Sequence, residues 1–263
     1  MPFVLPTVVI GAAFASLLGP QGLVDARGTW WPILAAHLCF NLAVVVRTVG
    51  ASIATVDTDM EGAARLLGAS RSAAVRRVVL PTVAPAVAAA GIIVFLFCLT
   101  SFGVIVVLGG GAVTTVEVEI WTRATRQFDL SGAGVLCLLQ LVAVIATLGI
   151  HGAITRRRHV PVRPGRPTRH RPRGGERLLV AATVMIVAVV SVLPIAALVE
   201  RSLRVGDGHS WSHWTQMGSV TRGTGLEVSP LDAVAVSVAT ALVAVAMATA
   251  LALPAVRVIA RCP

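Results

Sequence analysis

Few residues in this chain combine the types and the spacing that chemistry requires. Glu117 and Glu119, within Val116-Glu117-Val118-Glu119-Ile120-Trp121, are the kind of paired carboxylates that act as general acid and base, but no nucleophile or histidine accompanies them. The alternation of apolar and charged residues there, followed by Arg123, Arg126 and Asp129, reads as an interfacial segment. His209 and His213 stand four apart and on a helix would share a metal, yet a third ligand is not evident, and surface packing with Trp211 and Trp214 is the favoured reading. Cys39, Cys98, Cys137 and Cys262 are not spaced as a metal pair, and three of them sit in apolar runs as small hydrophobes. Gly109-Gly110-Gly111 ends an apolar run as a flexible exit, but no Lys follows at phosphate-loop spacing and Gly-x-x-x-x-Gly-Lys-Ser/Thr occurs nowhere. The sequence therefore assigns no catalytic residue, no metal and no cofactor to this chain, and any ATP it depends on must bind elsewhere.

The polar groups inside apolar runs are the remaining candidates. His37 and Asn41 lie four apart, on one helical face, and Gln140 is the polar residue of a later run. Such groups face a bundle interior or a water-filled path, so both pore lining and plain interhelical hydrogen bonding stay open for them. Arg47 is close enough to the end of its run to snorkel towards Asp57.

The elements that must position these residues follow from composition. With 56% hydrophobic and 13% charged residues over 263 positions, and a mean hydropathy of +0.85, the chain reads as an all-α, polytopic transmembrane helical bundle. About six spans are expected: residues 1–18, 32–56, 82–108, 133–154, 178–199 and 231–259. In the first, Thr7, Gly11 and Ala15 recur as a small-residue stripe, which would let another helix approach closely; a generic apolar helix is the alternative reading. The net charge of +10 comes from arginine alone, with no lysine, and it is concentrated between spans. Arg156 to Arg173, interleaved with Pro and Gly, makes residues 155–177 a cytoplasmic linker suited to an anionic lipid surface; without interleaved aromatics it does not indicate nucleic acid. Three parts result: 1–154 with four spans, the linker 155–177, and 178–263 with two spans.

The most informative stretch is Glu61 to Pro81, polar and basic between two apolar runs. Thr58-Asp59-Met60-Glu61 has the capping-box pattern, so a short helix should start near Asp59 and end at Gly68. Ser70 can cap a second short piece carrying Arg71, Arg76 and Arg77, which Leu80-Pro81 should close. The product is a rigid helix-glycine-helix knob.

Counted from Gly62, the pattern Gly-Ala-Ala-x-x-x-Gly, nine residues, then Val-x-Leu-Pro resembles the EAA loop of ATP-binding cassette (ABC) importer permeases, with Ala63, Ala64, Gly68, Val78, Leu80 and Pro81 at the family's spacing. The family's Glu position is Gly62 here, with Glu61 one place earlier. Stretches from Phe3, Ile33, Ser101 and Gly109 are similar to the permeases that import ferric iron or thiamine, over about Pro2 to Leu148. The resemblance implies a type I permease fold, a coupling loop over 57–81, a separate ABC ATPase subunit, acting as a homodimer, that binds the ATP, and an extracytoplasmic solute-binding protein. Such permeases carry two lobes with a coupling loop each, so the resemblance also implies a chain truncated at both ends. The expected function is translocation of thiamine or ferric iron by alternating access. The alternative is an ion-coupled carrier without an ATPase, which would want a buried carboxylate that the spans do not offer. Placing the coupling loop in the cytoplasm puts the 155–177 linker, Arg257 and Arg261 there too, as the positive-inside bias requires.

Overall fold

The computed structural model describes residues 6–54, 56, 58–156, 174–206, 208–219 and 228–261. It is an all-α membrane bundle with one small strand pair. Five helices are long and apolar enough to cross a membrane: Trp30–Ala54, Ser72–Leu99, Leu130–Thr155, Gly175–Leu203 and Pro230–Pro254. Each must be helical because a bilayer offers backbone N–H and C=O groups no other partner. The expected first span appears as α1, Thr7–Leu18, whose 12 described residues are shorter than a crossing requires.

By internal contacts the chain divides into two units, residues 1–199 and 200–263. In the first unit, α1 is followed by α2 (Trp30–Ala54), α3 (Thr58–Leu66), α4 (Arg71–Ala74), a π-turn over Val75–Val79, and α5 (Leu80–Leu99). Then come α6 (Gly103–Leu108), α7 (Val116–Thr122) with a π-turn over Arg123–Gln127, α8 (Leu130–Arg156) and α9 (Gly175–Leu203), whose last residues enter the second unit. The core joins Ile10 and Phe14 of α1, Ile33, Ala36 and Cys39 of α2, and Val104, Ile105 and Leu108 of α6, with Val113 beside them. Small residues set this packing. A Cβ built on Gly11 would lie 3.1 Å from Val107 Cβ and 3.2 Å from Gly103 O, and one on Gly103 would lie 2.7 Å from Val8 N. Backbone therefore rests nearly on backbone between α1 and α6, and the Gly11 stripe does what its spacing implies. By contrast α8 leaves Val135, Leu138, Leu139, Val142 and Ile145 more than half exposed, an apolar surface that lipid or another helix must cover.

Three sequence expectations are corrected here. The third span does not run on to Leu108: α5 ends at Leu99, residues 100–102 are not helical, and α6 is a separate short helix whose Val104 and Leu108 are fully buried. Gly109 to Gly111 is not a loose exit but a hydrogen-bonded turn. Gly109 N donates to Ile105 O (2.7 Å), Val113 N to Gly109 O (3.0 Å), and Gly28 N to Leu108 O (3.0 Å), while Gly110 and Gly111 take positive φ of 56° and 79° that favour glycine. Leu80-Pro81 does not end a helix either. The chain stays helical from α4 into α5 through the π-turn, in which Leu80 N–H reaches back to Val75 O. Pro81 has no N–H and its ring crowds the carbonyl four residues earlier; the wider turn before it relieves both problems.

In the second unit, β1 (Arg204–Val205) pairs antiparallel with β2 (Gly208–His209), Arg204 opposite His209. His209 Nε2 lies 3.5 Å from Glu200 Oε1, and the rings of Trp211 and Trp214 are 6.3 Å apart. His209 is thus on a strand and His213 on the short helix α10 (Ser212–Thr215), so the two do not share a helical face. Helix α11 (Pro230–Arg261) opens on Ser229, whose Oγ accepts from Asp232 N (3.2 Å) and donates to Asp232 Oδ2 (2.7 Å). Residues 157–173, most of the basic linker, lie outside the described residues, as do the side chains of Arg257 and Arg261.

Candidate functional site

The knob forms as its turn chemistry dictates. Helix α3 starts at Thr58 and ends in a Schellman arrangement: Gly68 N donates to Arg65 O (3.0 Å), Ala69 N to Ala64 O (3.1 Å), and Gly68 takes φ +90°. Ser70 then caps α4, its Oγ accepting from Ala73 N (3.3 Å). Ala74 at the joint is buried, and α3 folds back against the π-turn. The side chains of Asp57, Thr58 and Glu61, with which the capping box and the Arg47 contact would be made, lie outside the described residues. Gly62, Ala63, Gly68, Leu80 and Pro81 are exposed; Ala64 and Val78 are partly buried. Leu66 and Leu67, which the motif does not name, are 91% and 89% exposed. Two leucines left uncovered by their own chain next to a rigid turn are the mark of a contact surface rather than of a loop that packs on its own bundle.

The intramembrane polar residues are drawn into a network between helices. His37 Nε2 shares a 2.8 Å hydrogen bond with Ser101 Oγ, in the break between α5 and α6. Asn41, 4% exposed, donates through Nδ2 to His37 O (2.9 Å) and Cys98 Sγ (3.5 Å). Thr115 Oγ1 donates to Ser101 O (3.2 Å), so the excursion from Phe102 to Thr114 leaves and returns at one point. Ser101 is the pivot of this clip, and a sequence reading that ranks ionisable groups passes over it; a hydroxyl beside a break in an apolar run is the signal that would find it.

Gln140 joins a different cluster. Its Nε2 donates to Glu117 Oε1 (2.7 Å) from a side chain buried in α8. Neighbouring Glu119 Oε1 accepts from Arg123 Nε (2.8 Å), and Arg123 Nη1 reaches Asp129 Oδ2 (3.4 Å). The Glu119 hydrogen bond, helped by the two nearby carboxylates, raises the Arg123 pKa above its ordinary value, so it stays charged. Asp129 also caps α8 through Gly132 N (2.8 Å). The two glutamates are therefore structural partners on half-buried α7, each with its own donor. Gln140→Leu should destabilise the detergent-solubilised protein by about 1–3 kcal/mol, because a carboxylate loses its donor, and adding Glu117→Leu should restore part of the loss. Thermal unfolding of the two variants checks this.

The coupling-loop pattern spans Gly62 to Pro81, and comparison with known proteins places it in context. A family model for the binding-protein-dependent transport system inner membrane component matches residues 1–160. The sulfate transport system permease protein CysT of Salmonella typhimurium is 31% identical over 160 residues, 56% of this chain and 57% of its own length. The putative 2-aminoethylphosphonate transport system permease protein PhnU of Salmonella typhi is 25% identical over 161 residues, 56% of this chain and 55% of its own. The thiamine transport system permease protein ThiP of Brucella suis is 29% identical over 223 residues, 77% of this chain and 40% of its own. The chain spans about half the length of the curated relatives it matches first, and these relatives are transport permeases rather than enzymes. With more than half of its residues under the family model and five membrane-length helices, the chain belongs to the binding-protein-dependent transport system inner membrane components and is a multi-pass protein of the bacterial inner membrane.

Proposed function

We propose that this chain works as the membrane-spanning subunit of an ABC importer, moving a small solute that an extracytoplasmic binding protein delivers. The observation that carries this reading is the knob itself: a Schellman-capped helix pair with exposed Leu66 and Leu67, at the spacing of a coupling loop, joined to α5 by unbroken helix. ATP binding would close a separate ATPase dimer, the knob would move with it, and α5 would carry the displacement into the membrane. Thiamine and ferric iron are the solutes proposed, supported by the thiamine permease among the relatives and by the motifs at Ser101 and Gly109. His37 and Asn41 on one face of α2, and Gln140 on α8, are proposed to border the pathway, their polar groups held in two separate interhelical clusters until the bundle reopens. Deleting Glu61 to Ala69 in the assembled transporter should abolish co-purification of the ATPase while leaving membrane insertion intact. ATPase retained on that variant overturns the reading.

A further inference from the structure

Beside the Ser101–Thr115 clip, a cleft of ≈ 580 Å³ opens between the end of α5, the start of α7 and α8. Its size falls in the range of small-molecule sites, roughly 300–1,000 Å³. Phe95, Leu99 and Leu136 give it apolar walls, and Thr114, Thr115 and Glu119 supply the polar groups. Among its lining residues Glu119 is the charged one, and no arginine is among them although the chain has 22.

The charge around the cleft has a definite sign. Arg123 is shared between Glu119 and Asp129, so one guanidinium serves two carboxylates. Glu117 receives only the neutral amide of Gln140, and Arg126 lies over the Trp121 ring, 4.9 Å from its centre. Along this segment Glu117, Glu119 and Asp129 outnumber Arg123 and Arg126 by one, and of these five only Glu119 lines the cleft. An oxyanion would need convergent N–H donors or an unshared arginine here; a cation with an apolar body finds the Glu119 carboxylate, the Thr114 and Thr115 side chains and the apolar Phe95, Leu99 and Leu136.

We propose that this cleft binds an organic cation with an aromatic or apolar body and discriminates against oxyanions. This rests on the importer reading and names the class of solute it would carry. The test is equilibrium dialysis of labelled thiamine and labelled sulfate against the protein in lipid nanodiscs. Saturable thiamine binding is expected, with no sulfate binding at the same concentration. Glu119→Gln should weaken thiamine binding at least tenfold, and Leu136→Trp, which fills the cleft, should abolish it. Arg123→Gln separates charge from structure: it breaks the same ion pair but leaves the carboxylate free, so thiamine binding should hold or tighten. Absence of saturable thiamine binding, preference for sulfate, indifference to Leu136→Trp, or equal weakening by Glu119→Gln and Arg123→Gln overturns the proposal. ATPase co-purification is read on the same samples. Its survival without thiamine binding overturns only the cleft, and its loss with binding intact overturns only the importer reading.

Discussion

Gly103→Leu should destabilise the protein by about 3 kcal/mol, the upper end of what overpacking costs. A Cβ at this position would sit 2.6 Å from Val8 Cγ2, 2.7 Å from Thr7 Oγ1 and 2.7 Å from Val8 N. A side chain can rotate away; the Val8 backbone cannot unless α1 moves. Separating α1 from α6 opens the core formed by Ile10, Phe14, Val104 and Leu108, so steric cost and lost burial act together. Val8→Gly in the same chain should recover only part of the loss, since it removes the methyl contact and keeps the backbone one. Gly91→Leu is the control: it lies in α5 with nothing within 4 Å of the new Cβ, and it should change stability little. Unfolding followed by circular dichroism in detergent distinguishes these cases, and equal effects of Gly103→Leu and Gly91→Leu would show that close α1–α6 contact is not what holds the core.

Under the importer proposal, Gly68→Val should leave overall stability nearly unchanged and yet cut solute-stimulated ATP hydrolysis by the assembled transporter at least tenfold. Space is not the issue, because nothing lies within 4 Å of a Cβ there. Conformation is: φ +90° costs a β-branched residue about 1–2 kcal/mol, enough to unwind the Schellman turn and re-aim Leu66 and Leu67. Asparagine tolerates left-handed backbone better than other side chains, so activity should fall in the order Gly, Asn, Val. Proteoliposome ATPase assays read that order directly, and a fully active valine variant would detach the turn from coupling.

The features legible in the sequence were those encoded locally. A Gly at the end of a capped helix, a Ser before the next and a small-residue stripe at helical spacing each act within one or two turns, and each appears as expected at Gly68, Ser70 and Gly11. What was hidden depends on residues far apart. The break after Leu99 carries no Pro or Gly punctuation at Thr100 or Ser101; it is stabilised by His37 and Thr115, which are 64 and 14 residues from Ser101. Phe128 adopts φ 55° between the second π-turn and α8, where composition offers no glycine to announce it. There Asp129 N–H bonds to Arg123 O (2.9 Å) and the Asp129 carboxylate to Gly132 N–H and Arg123, so neighbours impose the conformation. The exposure of Leu66 was not legible because a sequence pattern says which residues recur, not which of them their own chain leaves uncovered.

The π-turn over Val75–Val79 changes how the distance between Gly68 and Pro81 should be counted. In an α-helix every residue turns the chain by about 100° and advances it 1.5 Å. A π-turn holds one residue more for almost the same advance. Of the residues separating the knob from the membrane, one therefore adds to the alignment but not to the geometry. Removing a residue inside Val75–Val79 would let the segment close to α form with the knob still facing the same way relative to α5, at the expense of crowding at Pro81. Removing one from α3 would instead swing the surface upstream of the gap by about a quarter turn. Gaps in this motif are thus not equivalent, and homologous chains with a one-residue difference here can still present the same face.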